Sequence, residues 1–122
     1  MVTNTKKAQK LRLPPQDVDA EKALIGSIMV RPTGIHDIAD VVFADSFYAE
    51  KHKIIYQSIQ QLAKKHEPID LITLSTRLKE NNQLQEIGGR AYLTELVNLV
   101  PSATNLVHYA EVVARKSVLR DL

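Results

Sequence analysis

Apolar residues recur along most of this chain at the three-and-four spacing of helices that bury one face. Asp17 is a good N-cap, and Asp19 and Glu21 suit the positive end of a helix dipole. Leu24, Ile25, Ile28 and Met29 then form one stripe, with Gly26 as a close-packing point and Pro32 as the stop. Thr33 predicts a second, short helix with Ile35, Ile38, Ala39 and Val42 on one side and Asp37 and Asp40 on the wet side. The period breaks over Phe43 to Tyr48, a turn expected to plug the core with its rings.

A third helix is predicted from about Ala49 to His66, with the stripe His52, Ile55, Tyr56, Ile59, Leu62 and Ala63. Asp70 caps a fourth, which carries Leu71, Leu74, Ser75 and Leu78. The β-branched run Ile69 to Thr76 also suits a short strand, but no partner strand is visible, so a helix is favoured. Gly88-Gly89 marks a turn into a fifth helix from about Arg90 to Leu99, stopped by Pro101. Ser102, Thr104 and Asn105 compete to cap a sixth. It bears one stripe of Leu106, Tyr109, Ala110 and Val113 and a second of Val112, Leu119 and Leu122. Two apolar faces exceed the need of a surface helix. The second face is therefore expected to meet another subunit or a further part of a longer protein. The fold class that follows is all-α: a compact bundle of about six helices.

Composition narrows the class further. The chain has 122 residues, of which 44% are apolar and 25% charged. That is enough for one packed domain. It has no cysteine, which excludes disulfides and thiolate chemistry. No apolar run has the length to span a membrane, and the basic start lacks the apolar core of a secretory signal, so a soluble, cytoplasmic protein is expected. Lys6, Lys7, Lys10 and Arg12 make residues 1–13 a flexible basic tail ending at Pro14-Pro15. The remaining 12 basic and 14 acidic residues leave the body at −2.

Catalytic signatures are missing. No phosphate loop of the form G-x-x-x-x-G-K-[ST] is present, and Gly88-Gly89-Arg90 reads as a helix-entry turn. His36, His52, His66 and His108 lack metal-ligand spacing; His52 and His66 fall on one helix face but about 21 Å apart at 1.5 Å per residue. His52 is read as a packed or half-buried histidine. Asp17/Asp19 and Asp37/Asp40 lie where caps and solvated faces place acids. No catalytic, cofactor-binding or metal-binding residue is assigned. A small helical DNA-binding regulator is the alternative, reading duplex through Arg77, Lys79, Asn81 and Gln83, although Glu80 and Glu86 dilute that field. The surplus face of the last helix favours an interaction module, and Tyr92, one position off the fifth-helix stripe, suits either simple core packing or a partner contact.

The order of several segments is similar to one family. Pro14-Pro15-Gln16-Asp17-Val18-Asp19-Ala20-Glu21, leading into Leu24-Ile25-Gly26-Ser27-Ile28-Met29, resembles the opening of bacterial replicative DNA helicases of the DnaB type. Asp45-Ser46-Phe47-Tyr48 with His52, then Pro68-Ile69-Asp70-Leu71-Ile72-Thr73, then Gly88-Gly89 with Tyr92-Leu93 and Leu96, resemble its later blocks. Pro101-Ser102-Ala103-Thr104-Asn105 with Tyr109 and Ala110 resembles the last.

The resemblance implies an N-terminal helical head over 14–101, followed at 102–122 by the first arm of a helical hairpin. It also implies self-association, as a dimer or within the trimer-of-dimers collar of a hexamer, and docking of primase. A helicase loader is a further possible partner, and DNA passes through the full-length ring. ATP and Mg²⁺ would belong to a RecA-like C-terminal domain absent from this chain, with no cofactor in the fragment itself. Arg90 and Tyr92 sit where the family makes subunit or primase contacts, and Arg90 replaces the apolar residue common there. Val112, Val113, Leu119 and Leu122 are the candidates for hairpin packing against a neighbouring subunit.

Overall fold

A computed structural model describes residues 13–122. Among the described residues there are six α-helices, two 3-10 turns and no strand, which is the all-α class that the periodicity predicts. The basic positions Lys6, Lys7, Lys10 and Arg12 lie outside the described residues. No described helix is long and apolar enough to cross a membrane.

Helix α1 spans Val18–Val30, and the Asp17 carboxylate accepts from Ala20 N–H at 2.9 Å, as a cap should. Thr33 caps nothing. Instead Pro32, whose ring fixes φ, opens a 3-10 turn over Pro32–Gly34 that runs into the single-turn helix α2, Ile35–Ile38. Helix α3 spans Glu50–Lys64, which contains its whole stripe and stops two residues short of the expected end at His66. At its start the Ala49 amide is engaged by a side chain from α1, and beyond its end His66 turns to φ +57°.

Helix α4 spans Leu71–Glu80, so the helix reading of the β-branched run holds. Asp70 decides the matter locally. Its carboxylate accepts from Thr73 N–H at 2.7 Å. This bond and its helix-end neighbours hold the carboxyl below the ordinary aspartate range, because they favour the charged form. Helix α5 spans Gly89–Leu99, one residue earlier than expected. Gly88 and Gly89 turn the chain at φ +107° and +75°, a region that glycine enters without steric cost. Helix α6 spans Leu106–Arg120. None of its three expected caps bonds to its first turn; Ser102 and Thr104 bond each other at 3.0 Å instead.

Helix α1 is the axis of the bundle, with α5 on one side and α6 on another. Its stripe residues Leu24, Ile25 and Ile28 are fully buried, each worth about 2 kcal/mol of apolar transfer. Gly26 lets α1 approach the backbone of α5 directly. A methyl added there would collide with the Leu96 carbonyl oxygen, so any larger residue forces the two helices apart. Helix α4 packs on α3 and α5 and completes the far wall.

Two expectations need correction. Of the three rings between Phe43 and Tyr48, only Phe47 plugs the core; Phe43 is 57% exposed and Tyr48 half-buried. Val113, expected on a face for a neighbouring subunit, is buried against the head with Leu106 and Ala110. The proximal half of α6 is thus a core element, and its distal turns lie against the head through Arg120 while Val118, Leu119 and Leu122 are exposed.

Candidate functional site

The most constrained group of side chains lies where α1, α3 and α5 meet. Glu21 shares the inner stripe of α1, one turn ahead of Leu24 and Ile25 and two ahead of Ile28. It lies in the first turn, as expected, but is only 1% exposed. Its carboxylate accepts from Tyr48 N–H at 2.7 Å, from Ala49 N–H at 3.2 Å and from His52 Nδ1 at 2.8 Å. Ala49 has no side-chain cap to offer α3. A carboxylate from another helix therefore occupies that N-terminus, where the dipole favours negative charge.

His52 is a packed histidine, as one of its two readings had it, and is fully buried. Glu21 already accepts from two backbone amides, so Nδ1 is the donor in their contact, and Nε2 accepts from the Tyr92 hydroxyl at 2.6 Å. The imidazole also stacks on the Tyr92 ring, with 6.0 Å between centroids, and meets the edge of Phe47. Lys51 Nζ lies 4.0 Å from the centre of the Tyr92 ring, a cation–π contact. Burial, followed by the negative charges of Glu95 and Glu21, pushes the Tyr92 phenol up to about 12. It therefore stays protonated and acts as the donor at neutral pH.

This arrangement of carboxylate, imidazole and hydroxyl has the order of a proton relay, but it closes on itself. Its reactive atoms are buried and bonded to one another or to backbone, which leaves none turned toward a substrate. Its chemistry is positional: it fixes three helices and the Phe43–Ala49 connection.

The other predicted residues spread over the surface. Arg90 is exposed on the first turn of α5, beside Tyr92, whose own side chain turns inward. Val112 is half-buried and packs at the margin of the core, whereas Leu119 is 42% and Leu122 94% exposed. The structure therefore separates two surfaces, the first turn of α5 and the distal end of α6. Among the described residues no group of His, Cys, Asp and Glu converges as a metal site would. Gly88 packs on Tyr92 Cβ, where an added methyl would sit 3.0 Å away, so the glycine pair is a helix-entry turn. The DNA-reading face is also partly spent. Arg77 faces Glu67 at 3.3 Å and Glu80 at 3.7 Å, and Asn81 bonds Gln61.

The described residues thus form an all-helical head whose terminal helix packs on it and ends in exposed apolar side chains. Residues 13–115 match the family model described as the DnaB-like helicase N terminal domain, and the chain belongs to that family. It is 40% identical over 111 residues to the replicative DNA helicase DnaC of Bacillus subtilis, covering 91% of this chain and 24% of that protein. It is 39% identical over 111 residues to the replicative DNA helicase DnaB of Geobacillus stearothermophilus, with the same coverage of 91% and 24%. The crystal structure of the N-terminal domain of DnaB helicase from Mycobacterium tuberculosis superposes with a TM-score of 0.88 at 35% identity, over 90% of this chain and 76% of that one. The chain spans about a quarter of the length of the two helicases.

The pH dependence of stability follows from the phenols. Tyr92 and Tyr56, whose hydroxyl donates to the Val42 carbonyl, are both raised from 10.0 to about 12, Tyr56 by burial alone. Each binds its proton more tightly when folded. Their contribution is complete below pH 10 and is lost as pH rises through about 12. Urea unfolding is expected to show a falling midpoint across that window. Tyr92→Phe should have a lower midpoint at pH 8 and a shallower alkaline fall, and a fall as steep as wild type would remove Tyr92 from this role.

Proposed function

We propose that this chain is the self-associating, partner-docking head of a hexameric replicative DNA helicase. In this reading the protein acts in the bacterial cytoplasm, within the replisome. The observation that carries the proposal is the apolar end of α6. Val118 is 62%, Leu119 42% and Leu122 94% exposed, on and just beyond a helix whose proximal half is locked into the core. Such a strip is costly in water and gains by burial against an equivalent strip. Membership of the helicase family supplies the partner: a second head, paired through α6 as the first arm of a helical hairpin, in a collar built as a trimer of dimers.

The first turn of α5 is the second working surface. Arg90 is exposed there, held at fixed register by the buried Tyr92, and it is the point at which primase would dock. A guanidinium at this place favours a polar, acidic complement on primase over the apolar contact common in the family. A helicase loader is a further partner class. Strand separation, ATP hydrolysis and Mg²⁺ binding fall to a RecA-like domain of the longer protein, and DNA is met through the assembled ring.

Pairing is read by light scattering at high concentration. Leu119→Asp with Leu122→Asp should lower the mass toward a monomer without changing the helical spectrum, because neither side chain is part of the core. An unchanged mass would place the interface elsewhere. Docking is read by titrating the cognate primase's C-terminal domain. Arg90→Glu should weaken it about tenfold or more, the loss of one desolvated charge pair at roughly 1.4 kcal/mol per tenfold; coincident curves would refute the assignment.

A further inference from the structure

The connection between α2 and α3 is held from two sides by residues far apart in sequence. On the inside, Glu21 accepts from the Tyr48 and Ala49 amides. On the outside, Arg120 in the last turn of α6 donates to the Ser46 carbonyl at 2.7 Å and to the Pro15 carbonyl at 2.9 Å. Its guanidinium also lies 5.6 Å from the centre of the Tyr48 ring. Tyr48 is thus gripped by its amide from α1 and by its ring from α6. The segment has few bonds of its own beyond the turn closed by Ser46, whose Oγ accepts from Phe43 N–H at 3.0 Å. Phe47 anchors its middle in the core, and the two grips fix the backbone on either side of that ring.

Each grip leads to one of the working surfaces. From Glu21 the bonded path continues through His52 to Tyr92, against Lys51 and beside Arg90 on the first turn of α5. Arg120 is flanked by the exposed Leu119 and Leu122. We propose that the chain Tyr92–His52–Glu21, the Phe43–Ala49 connection and Arg120 form one coupled unit. Through it, a ligand engaging the first turn of α5 changes how firmly the distal end of α6 is held, and pairing at α6 changes affinity at α5.

The physical basis is shared dependence. If Tyr92 or Lys51 is drawn outward, His52 loses its acceptor role and Glu21 its fixed orientation. The Tyr48 and Ala49 amides are then released toward water, and the ring and carbonyl that Arg120 grips move with them. Linkage makes the effect reciprocal. The biological meaning of this link rests on the reading of α5 and α6 as docking and pairing surfaces; the link itself does not.

A double-mutant cycle on the whole chain tests it. Tyr92→Phe removes only the hydroxyl, and Arg120→Met removes the guanidinium but keeps most of the stem. The two side chains share no hydrogen-bond partner. Sites without shared partners are additive to within about 0.5 kcal/mol, roughly twofold in the unfolding constant. The proposal predicts non-additivity of about threefold or more in urea unfolding. It also predicts faster amide exchange at Tyr48 and Ala49 in the Tyr92→Phe protein. A smaller interaction, or unchanged exchange at those amides, overturns it. Should Tyr92→Phe not fold, Lys51→Met replaces it in the cycle under the same criteria. Coupling that persists while Leu119→Asp with Leu122→Asp leaves the mass unchanged would refute the pairing surface and leave the link standing.

Discussion

A single buried carboxylate sets the geometry on which the rest of this domain depends. Taking Glu21 out of water costs several kcal/mol, and the cost is offset only because two amides and an imidazole converge on it. All three donors come from one stretch, residues 48 to 52, which would otherwise begin α3 without a cap. The acid therefore does what a local turn residue does elsewhere, but across the bundle. Because it sits on the stripe of α1 that carries Leu24, Ile25 and Ile28, placing it correctly also places α3 against the core. His52 then extends the constraint to α5 through the Tyr92 hydroxyl.

The second constraint is spatial. Gly26 allows α1 and α5 to meet at backbone distance, and that approach brings Tyr92 within reach of His52. The polar chain and the glycine contact are mutually supportive, as expected of a sequence with little frustration. On the other side of α1 the proximal half of α6 fills the remaining core with Leu106, Ala110 and Val113. The distal half is tied back to the Phe43–Ala49 connection by Arg120. One helix is thus both a wall of the head and the carrier of its exposed apolar end, so a force on that end is felt within the head.

Much of the fold is legible in the sequence because helical stripes, proline stops and two aspartate caps act locally. Asp17 and Asp70 bond as their positions predict, and each long helix falls where its stripe lies. The misreadings arise where the decisive partner is remote. Glu21 looks like a first-turn acid until His52 is set opposite it. The signal is present, since Glu21 lies three, four and seven residues before the fully buried Leu24, Ile25 and Ile28. Tyr92 likewise lies four residues before Leu96, which puts it on the stripe rather than off it. Periodicity tells which face is buried, not which faces meet. Val113 is a different case: its stripe with Leu106 and Ala110 places it against the head, where it lies, and only the resemblance set it at a subunit contact. Arg120 carries no local signal at all, because its acceptors are backbone carbonyls far away in sequence.

The most direct test of this account is the state of the His52 ring, read by nitrogen-15 chemical shifts of the imidazole at neutral pH. The account predicts a proton fixed on Nδ1, a slowly exchanging Nδ1–H, and Nε2 shifted as an acceptor from the Tyr92 hydroxyl. A ring protonated on Nε2, or one averaging between tautomers as an exposed histidine does, would contradict it and remove the connection between Glu21 and α5.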